Sequence, residues 1–288
     1  MNGKKILVTG SSGMLGSSLI KNLSYNNIVS NDFNITDSKS VENTLSKNKP
    51  DIIIHTAAYT NVDDCETNHD KAYKINAIGT QNLVNYCIDK DILFIYISST
   101  GIYGTEKENE PYNEFDNVSP TTIHHRSKYE GEKIIQNHLN KYLILRTGWL
   151  FGGDITHSKN FVYKRYLEAK NNKIIYSDDV QKGNPTYVLD FVKQIEVLIQ
   201  NNQLGIFNCV NKANNTSRYD YVKKIVELFE SACEVKKASK DIFKRIAPVS
   251  LNESAINYKL DLLDLNIMRE WDKSLSKYII GLKKDLIL

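Results

Sequence analysis

A short apolar run, Ile6-Leu7-Val8, leads directly into three glycines at three-residue spacing: Gly10, Gly13 and Gly16. Leu15, Leu19, Ile20 and Leu23 then recur with helical periodicity. The pattern predicts a buried strand that turns sharply through glycines into a helix. A helix N-terminus offers N–H groups and a positive dipole end, and glycine lets a ligand approach the backbone. The stretch therefore predicts a phosphate site. Its spacing, Gly-x-x-Gly-x-x-Gly, differs from the Gly-x-Gly-x-x-Gly of the best-known dinucleotide fingerprint. A glycine-rich strand-to-helix turn without a ligand stays open as the alternative.

A second strand is expected at Ile28-Val29-Ser30, its end facing an adenosine ribose. An acid there takes the 2′-OH of NAD, and a basic side chain favours a 2′-phosphate. The chain offers Ser30, Asn31 and Asp32 with no Arg or Lys beside them, so the cofactor is not decided here. Further buried strands are expected at Asp51 to His55, Ile92 to Ile97 and Tyr142 to Leu145. Helices are expected at Val41 to Leu45, His69 to Lys90 and His125 to Leu139. This alternation predicts an α/β fold, a Rossmann-like doubly wound parallel sheet.

The second half is less regular. Helical patterns cover Asn160 to Ala169, Asp190 to Gln200 and Tyr219 to Cys233, with strands at Lys173 to Tyr176 and Gly205 to Val210. An amphipathic stretch runs from Trp271 to Ile280. We expect a dinucleotide-binding domain of residues 1–150 plus roughly 174–207. A smaller interleaved C-terminal substrate domain takes 151–173 and 208–288.

Several function classes are set aside at this point. The 288 residues carry a net charge of +3, too little to point to nucleic acid. No apolar run approaches the roughly 20 residues that span a membrane, and no signal peptide is read at the N-terminus. Cys65, Cys87, Cys209 and Cys233 are scattered, which predicts reduced thiols in a cytoplasmic protein and no zinc site. No metal cluster is evident; His55, His69, His138 and His157 read as surface or core residues.

The chain resembles the extended short-chain dehydrogenases, most closely the dTDP-4-dehydrorhamnose reductase branch. The resemblance rests on the glycine triplet, on Asn34-Ile35-Thr36-Asp37 (the family usually has Asp-Ile-Thr-Asp), and on Ala57-Ala58-Tyr59-Thr60-Asn61-Val62-Asp63 with Glu66. It continues through Asn76, Ser98-Ser99, Arg146-Thr147-Gly148-Trp149, Asn160-Phe161-Val162 and Gly183-Asn184-Pro185-Thr186-Tyr187. Pro248 to Leu260 matches more weakly. The resemblance implies that Gly10, Gly13, Met14, Leu15 and Gly16 hold the cofactor, that Asn34 and Ile35 edge the adenine, and that Ala57, Ala58 and Tyr59 line its pyrophosphate and ribose. It implies a substrate pocket at Val62, Thr100 and Trp149, although Trp149 reads equally as a core residue. Asn160 either reaches the substrate diphosphate or caps the helix after it.

Reduction of a 4-keto sugar needs a hydride from reduced nicotinamide, a hydrogen-bond donor to the carbonyl, and an acid for the new hydroxyl. The family supplies these with a Ser or Thr hydroxyl, a Tyr, and a Lys four residues later that holds the nicotinamide ribose. The hydroxyl maps to Ser99 and the lysine to Lys128, but the tyrosine position is His124. Three readings stay open. His124 is the acid; or Tyr103, His125, Tyr129 or a water takes over; or the protein is a non-catalytic, cofactor-binding regulatory homologue. The resemblance implies an NAD(P)H-dependent reductase of a nucleotide-activated 4-keto-6-deoxy sugar, with a sugar-nucleotide epimerase or combined epimerase–reductase as the variant. NADP(H) is slightly preferred over NAD(H), from biosynthetic logic and the missing acid at Ser30. The implied assembly is a homodimer in the cytoplasm, without nucleic-acid or membrane partners.

Overall fold

Six strands form one parallel sheet in the computed structural model, which describes residues 3–30, 32–238 and 245–286. The first half runs β1 (Ile6–Thr9), α1 (Met14–Asn22), β2 (Ile28–Ser30), α2 (Ser38–Asn48), β3 (Ile52–His55), α3 (Val62–Thr67) and α4 (His69–Tyr73). A π-helical turn, Lys74–Ile78, leads into α5 (Gly79–Cys87), followed by β4 (Leu93–Ser99), a 3-10 turn (Thr100–Tyr103), α6 (Ile123–His138) and β5 (Tyr142–Thr147). The second half runs β6 (Leu150–Phe151), α7 (Phe161–Asn171), β7 (Ile174–Asp178), β8 (Thr186–Tyr187), α8 (Val188–Gln200) and β9 (Gly205–Asn208). It closes with α9 (Arg218–Leu228), β10 (Glu234–Ala238), α10 (Tyr258–Leu262) and α11 (Trp271–Leu286).

The order across the sheet is β2-β1-β3-β4-β5-β9. The strands are apolar on both faces because helices cover both, as parallel sheets require. Leu7, Ile53, Phe94 and Ile144 pack under α2, α5 and α6. Ile6, Ile54, Ile95 and Leu145 pack under α1 and α8. Each such side chain removed from water contributes about 1.5–3 kcal/mol. The chain leaves β1 toward one edge to make β2, then returns to the other side of β1 to make β3. That reversal opens a crevice at the carboxyl ends of β1 and β3, where sheets of this kind take ligands. Asn31 lies outside the described residues.

The chain departs from expectation in three places, two of them in the second half. The segment 174–207 does not join the central sheet as a unit: β7 pairs with β10 instead, while α8 and β9 join the central sheet. The burial of β7 explains this, since Ile174 and Tyr176 are exposed while Ile175 and Ser177 are buried. Such a half-exposed strand suits the surface, not the middle of a sheet covered on both faces. Helix α9 stops at Leu228, short of Cys233, because Glu230 adopts a left-handed conformation (φ 58°) that ends the helix, and the chain then forms β10. The helix expected over His69 to Lys90 runs without a gap from His69 to Cys87, but its middle turn, Lys74–Ile78, is wound wider than α4 and α5 on either side. A separate aromatic core of Phe151, Tyr187, Tyr221 and Tyr278 joins β6 and β8 to α9 and α11.

Candidate active site

The crevice is an open cleft of about 600 Å³. Its cofactor end starts at β1. Gly10 has φ +64°, and a Cβ there would lie 2.8 Å from the Ala57 backbone. A Cβ on Gly16 would lie 2.2 Å from the Gly10 carbonyl oxygen. The loop is therefore drawn tightly between α1 and the end of β3. Gly13 caps α1 without any side-chain hydrogen bond, so the helix's first N–H groups are left to a ligand. Gly10, Gly13, Met14, Leu15, Gly16 and Ala58 all line the cleft. Ala57 packs beneath Gly10.

At the adenosine edge, Asn34 spends its side chain on Thr36 N–H and hydroxyl, at 3.0 and 2.8 Å, and Ile35 is buried against Gly79. Neither forms the cleft wall. Asp32 does something the sequence does not announce. Its Oδ1 accepts from both the N–H and the hydroxyl of Ser11, each at 2.8 Å. Hydrogen bonds from Ser12 and Ser11 hold its carboxyl below the usual carboxylate range.

The floor comes from the ends of β4 and β5 and from the first turns of α6. Ser99 pairs across the sheet with Thr147 and caps the following turn by accepting from Gly101 N–H at 3.2 Å. α6 is held at its start by Thr122, which accepts from His125 N–H, and by Glu66, which accepts from Ile123 N–H at 2.7 Å. A carboxylate there also complements the helix dipole. His124 and Lys128 sit one turn apart on α6, and with Ser99 they line the cleft. Burial first, then the charges of His125, Lys128 and Lys159, push the His124 imidazole well below its ordinary value. Lys128 is pushed down to about 7, mainly by burial. Ser98 Oγ, Thr147 Oγ1, His124 Nδ1 and His125 Nδ1 are buried without a partner among the described residues. A floor of unmet polar atoms below a glycine cradle fits a dinucleotide and its polar substrate.

The wide turn before α5 braces both sides of the floor. Asn76, 1 % exposed, accepts from Tyr59 N–H at 2.8 Å and donates to Tyr59 C=O at 3.0 Å and Ser127 Oγ at 2.9 Å. Ser127 in turn donates to the His124 carbonyl. Tyr59 itself points away from the cleft wall, its hydroxyl bonded to Asp64. Thr100 is buried behind the floor. Tyr103, one of the alternative acids, is buried as well. Its hydroxyl donates to Asn208 Oδ1 at 2.8 Å and accepts from Arg146, and burial pushes it up to about 12.

Val62 and Trp149 line the other end of the cleft. Trp149 Nε1 donates to Glu253 Oε2 at 2.9 Å, and the Arg218 guanidinium lies over the indole. Asn160 stays out of the wall. It caps α7 by accepting from Tyr163 N–H, and its amide donates to the Tyr278 hydroxyl at 2.7 Å and the Asp154 carbonyl at 3.1 Å. Of its two readings, the geometry favours the cap. Sequence reasoning missed Arg218, Lys159, Glu253 and Arg245, all in the wall, and left His157 to surface or core although it also lines the cleft. The Ser217–Asp220 capping box marks where α9 starts, but no local pattern says that Arg218 turns toward Trp149.

The family model described as the RmlD substrate binding domain matches residues 4–283. A dTDP-4-dehydrorhamnose reductase from Clostridium acetobutylicum superposes with a TM-score of 0.92 at 33% identity, covering 97% of this chain and 99% of that one. The Bacillus anthracis dTDP-4-dehydrorhamnose reductase, solved in complex with NADP, gives 0.91 at 31% identity, covering 96% and 99%. In sequence alone, the dTDP-4-dehydrorhamnose reductase of Aggregatibacter actinomycetemcomitans is 35% identical over 189 residues, which is 64% of this chain and 63% of that protein. With a match over nearly its whole length, the chain belongs to the RmlD substrate binding domain family.

Proposed function

We propose that this protein is an NAD(P)H-dependent reductase of a nucleotide-linked 4-keto-6-deoxy sugar, of the kind its dTDP-4-dehydrorhamnose reductase relatives are named for. One observation carries the reading. A single cleft joins the phosphate-cradling glycine loop to Ser99, His124 and Lys128, and those to Trp149 and Arg218. Reduced nicotinamide, when bound, supplies the hydride. The α1 N-terminus holds its phosphates, and Lys128 holds its ribose. The Ser99 hydroxyl and the N–H of neutral His124 hydrogen-bond the carbonyl oxygen. Trp149 and Val62 contact the sugar nucleotide, while Lys159, Arg218 and Arg245 give that end the positive charge a diphosphate needs.

The cofactor choice turns on Asp32. The preference for NADP(H) rests on biosynthetic logic and on the lack of an acid at Ser30. Asp32 brings a charged carboxylate to the glycine loop two residues later, and a 2′-phosphate beside it meets like charge. The carboxylate supports NADH as a competent donor. We also place the protein in the cytoplasm and expect a homodimer, which light scattering on the purified protein reads directly. Among the described residues no helix is long and apolar enough to cross a membrane.

The test supplies a panel of 4-keto nucleotide sugars with NADH or NADPH and follows loss of the reduced-nicotinamide absorbance. Turnover on one of them supports the reading. His124 is the specific observation favouring a regulatory, non-catalytic homologue. Tight cofactor binding with no turnover on any sugar, and turnover regained in His124→Tyr, would establish that second reading instead.

A further inference from the structure

Trp149 is fixed by its neighbours. It packs against Gly183, where a Cβ would lie 2.4 Å from the ring, and the Arg218 guanidinium lies over the indole. Its Nε1 donates to Glu253 Oε2 at 2.9 Å. Glu253 is 7 % exposed and lines the cleft. Among the described residues, Trp149 is the one hydrogen-bond donor to its carboxylate, and Oε1 has none. That oxygen is not sealed in the interior as His124 Nδ1 and His125 Nδ1 are, so it meets the cleft. A carboxylate oxygen with so little water around it calls for a donor, and the reduction described above does not supply one.

The backbone around Glu253 is pinned. Its N–H donates to the Lys182 carbonyl at 2.9 Å. Asn252 donates to the carbonyls of Lys107 and Glu110, at 3.0 and 2.9 Å, and Ala255 N–H donates to Asn184 Oδ1 at 2.8 Å. A ligand therefore comes to a carboxylate already in position. Its place along the cleft is the carbonyl end of the substrate pocket. Trp149 lies two residues beyond Thr147, the cross-strand partner of Ser99. His125 adjoins His124, with ring centres 4.9 Å apart, and also lines the cleft. Its imidazole is set against Gly101, where a Cβ would lie 2.1 Å away. Burial holds that imidazole below its ordinary value, and the Glu253 carboxylate is near enough to pull the other way.

An ionised carboxylate only accepts, and a sugar ring donates only through its hydroxyls. In a 4-keto-6-deoxy sugar the carbonyl carbon has C3, which bears a hydroxyl, on one side. On the other side is C5, which bears a methyl group and the ring oxygen. The C3 hydroxyl is therefore the one donor next to the carbonyl. We propose that Glu253 accepts a hydrogen bond from this hydroxyl and so selects 4-keto sugars that carry it over their 3-deoxy counterparts. This rests on the reductase reading above and narrows its substrate class. A sugar without the hydroxyl leaves a desolvated carboxylate oxygen unmet, and that penalty is the source of the discrimination.

Two measurements on the full chain test this. The first compares 4-keto-6-deoxy nucleotide sugars that differ only at C3, hydroxyl against hydrogen. Wild type should favour the hydroxylated one by at least about 100-fold in kcat/KM. Glu253→Gln keeps the size and an acceptor oxygen but loses the charge, and should cut that ratio about tenfold. Glu253→Ala should bring the ratio near one; if that variant does not fold, Glu253→Gln decides. A ratio near one in wild type, or a loss in Glu253→Gln that falls equally on both sugars, overturns the proposal. The second is calorimetric binding of the corresponding 4-hydroxy nucleotide sugars, which needs no turnover. Wild type should bind the C3-hydroxylated one more tightly, and Glu253→Gln should narrow the gap. That result without turnover of any keto sugar upholds the hydroxyl contact and sinks the reductase reading. Equal binding of the two, with turnover intact, sinks the proposal and leaves the reductase reading standing.

Discussion

The Arg218 guanidinium lies 3.4 Å from the centre of the Trp149 indole, while the edge of the same indole donates to Glu253. Burial pushes Arg218 down to about 10, which still leaves it charged at neutral pH. A cation over an indole face is worth about 0.5–2 kcal/mol. Removing it by Arg218→Ala should raise KM for the sugar nucleotide roughly 2- to 30-fold at nearly constant kcat, because the lost contact is remote from the reacting carbon. Initial rates across substrate concentration check this; an unchanged KM would remove Arg218 from the substrate pocket.

The glycine loop gives a second expectation. A methyl group on Gly16 meets the Gly10 carbonyl oxygen at 2.2 Å, and because every atom it meets is backbone, no flexible side chain can yield. Gly16→Ala should weaken NAD(P)H binding by at least about tenfold, since roughly 1.4 kcal/mol of lost fit suffices for that. It should also lower the melting temperature. Fluorescence titration and calorimetry measure both, and wild-type affinity in the variant would refute the cradle.

Asp32 should act on cofactor choice alone. Asp32→Ala removes the carboxylate that Ser11 holds at the end of β2. The expected result is a fall in KM for NADPH relative to that for NADH, with kcat on the sugar unchanged. The ratio of kcat/KM for the two cofactors reads this directly, and an unmoved ratio excludes Asp32 from the ribose site.

Acid should unfold the protein early. His55, His124 and His125 are all held below the ordinary imidazole value of about 6.5, burial being the largest cause in each. In the unfolded chain they take up protons as pH falls below about 6.5, while the folded chain resists. The unfolded state then binds more protons, and stability declines with falling pH by up to about 1.4 kcal/mol per unit for each group. Urea denaturation at about pH 7.5 and about pH 5.5 measures the drop. His55→Gln should flatten the dependence; equal midpoints at the two pH values would count against the buried neutral state.

The doubly wound sheet was legible because its signals are local. Ile52 to Ile54 and Leu93 to Ile97 are unbroken apolar runs, and the three glycines announce the first turn. The site's line-up along the cleft floor was legible for Ser99, His124 and Lys128 because the spacing of the motif survives on one strand end and one helix. Arg218 and Glu253 were not, since their meeting with Trp149 depends on how α9 and the segment before α10 fold back over β6. Strand β10 escaped notice because Glu234, Lys236 and Lys237 give it little apolar character; its pairing with β7 supplies what its own sequence lacks. The bond between Glu132 and Arg146 joins a helix to a neighbouring strand, which no periodicity records.

The five residues Lys74–Ile78 are wound one step wider than the helices on either side of them, and Asn76 sits within that step. Such a turn takes up one extra residue within a single loop of the coil, so the helix on either side of it keeps its face. Deleting one residue there would restore ordinary winding and leave the apolar stripe of α5 against the sheet, but it would remove the widened turn from which Asn76 reaches Tyr59 and Ser127 at once. Deleting one residue from the ordinary winding of α5 would instead swing everything beyond the cut by about 100°. The same loss of length is thus absorbed at one place in this helix and disruptive at the next.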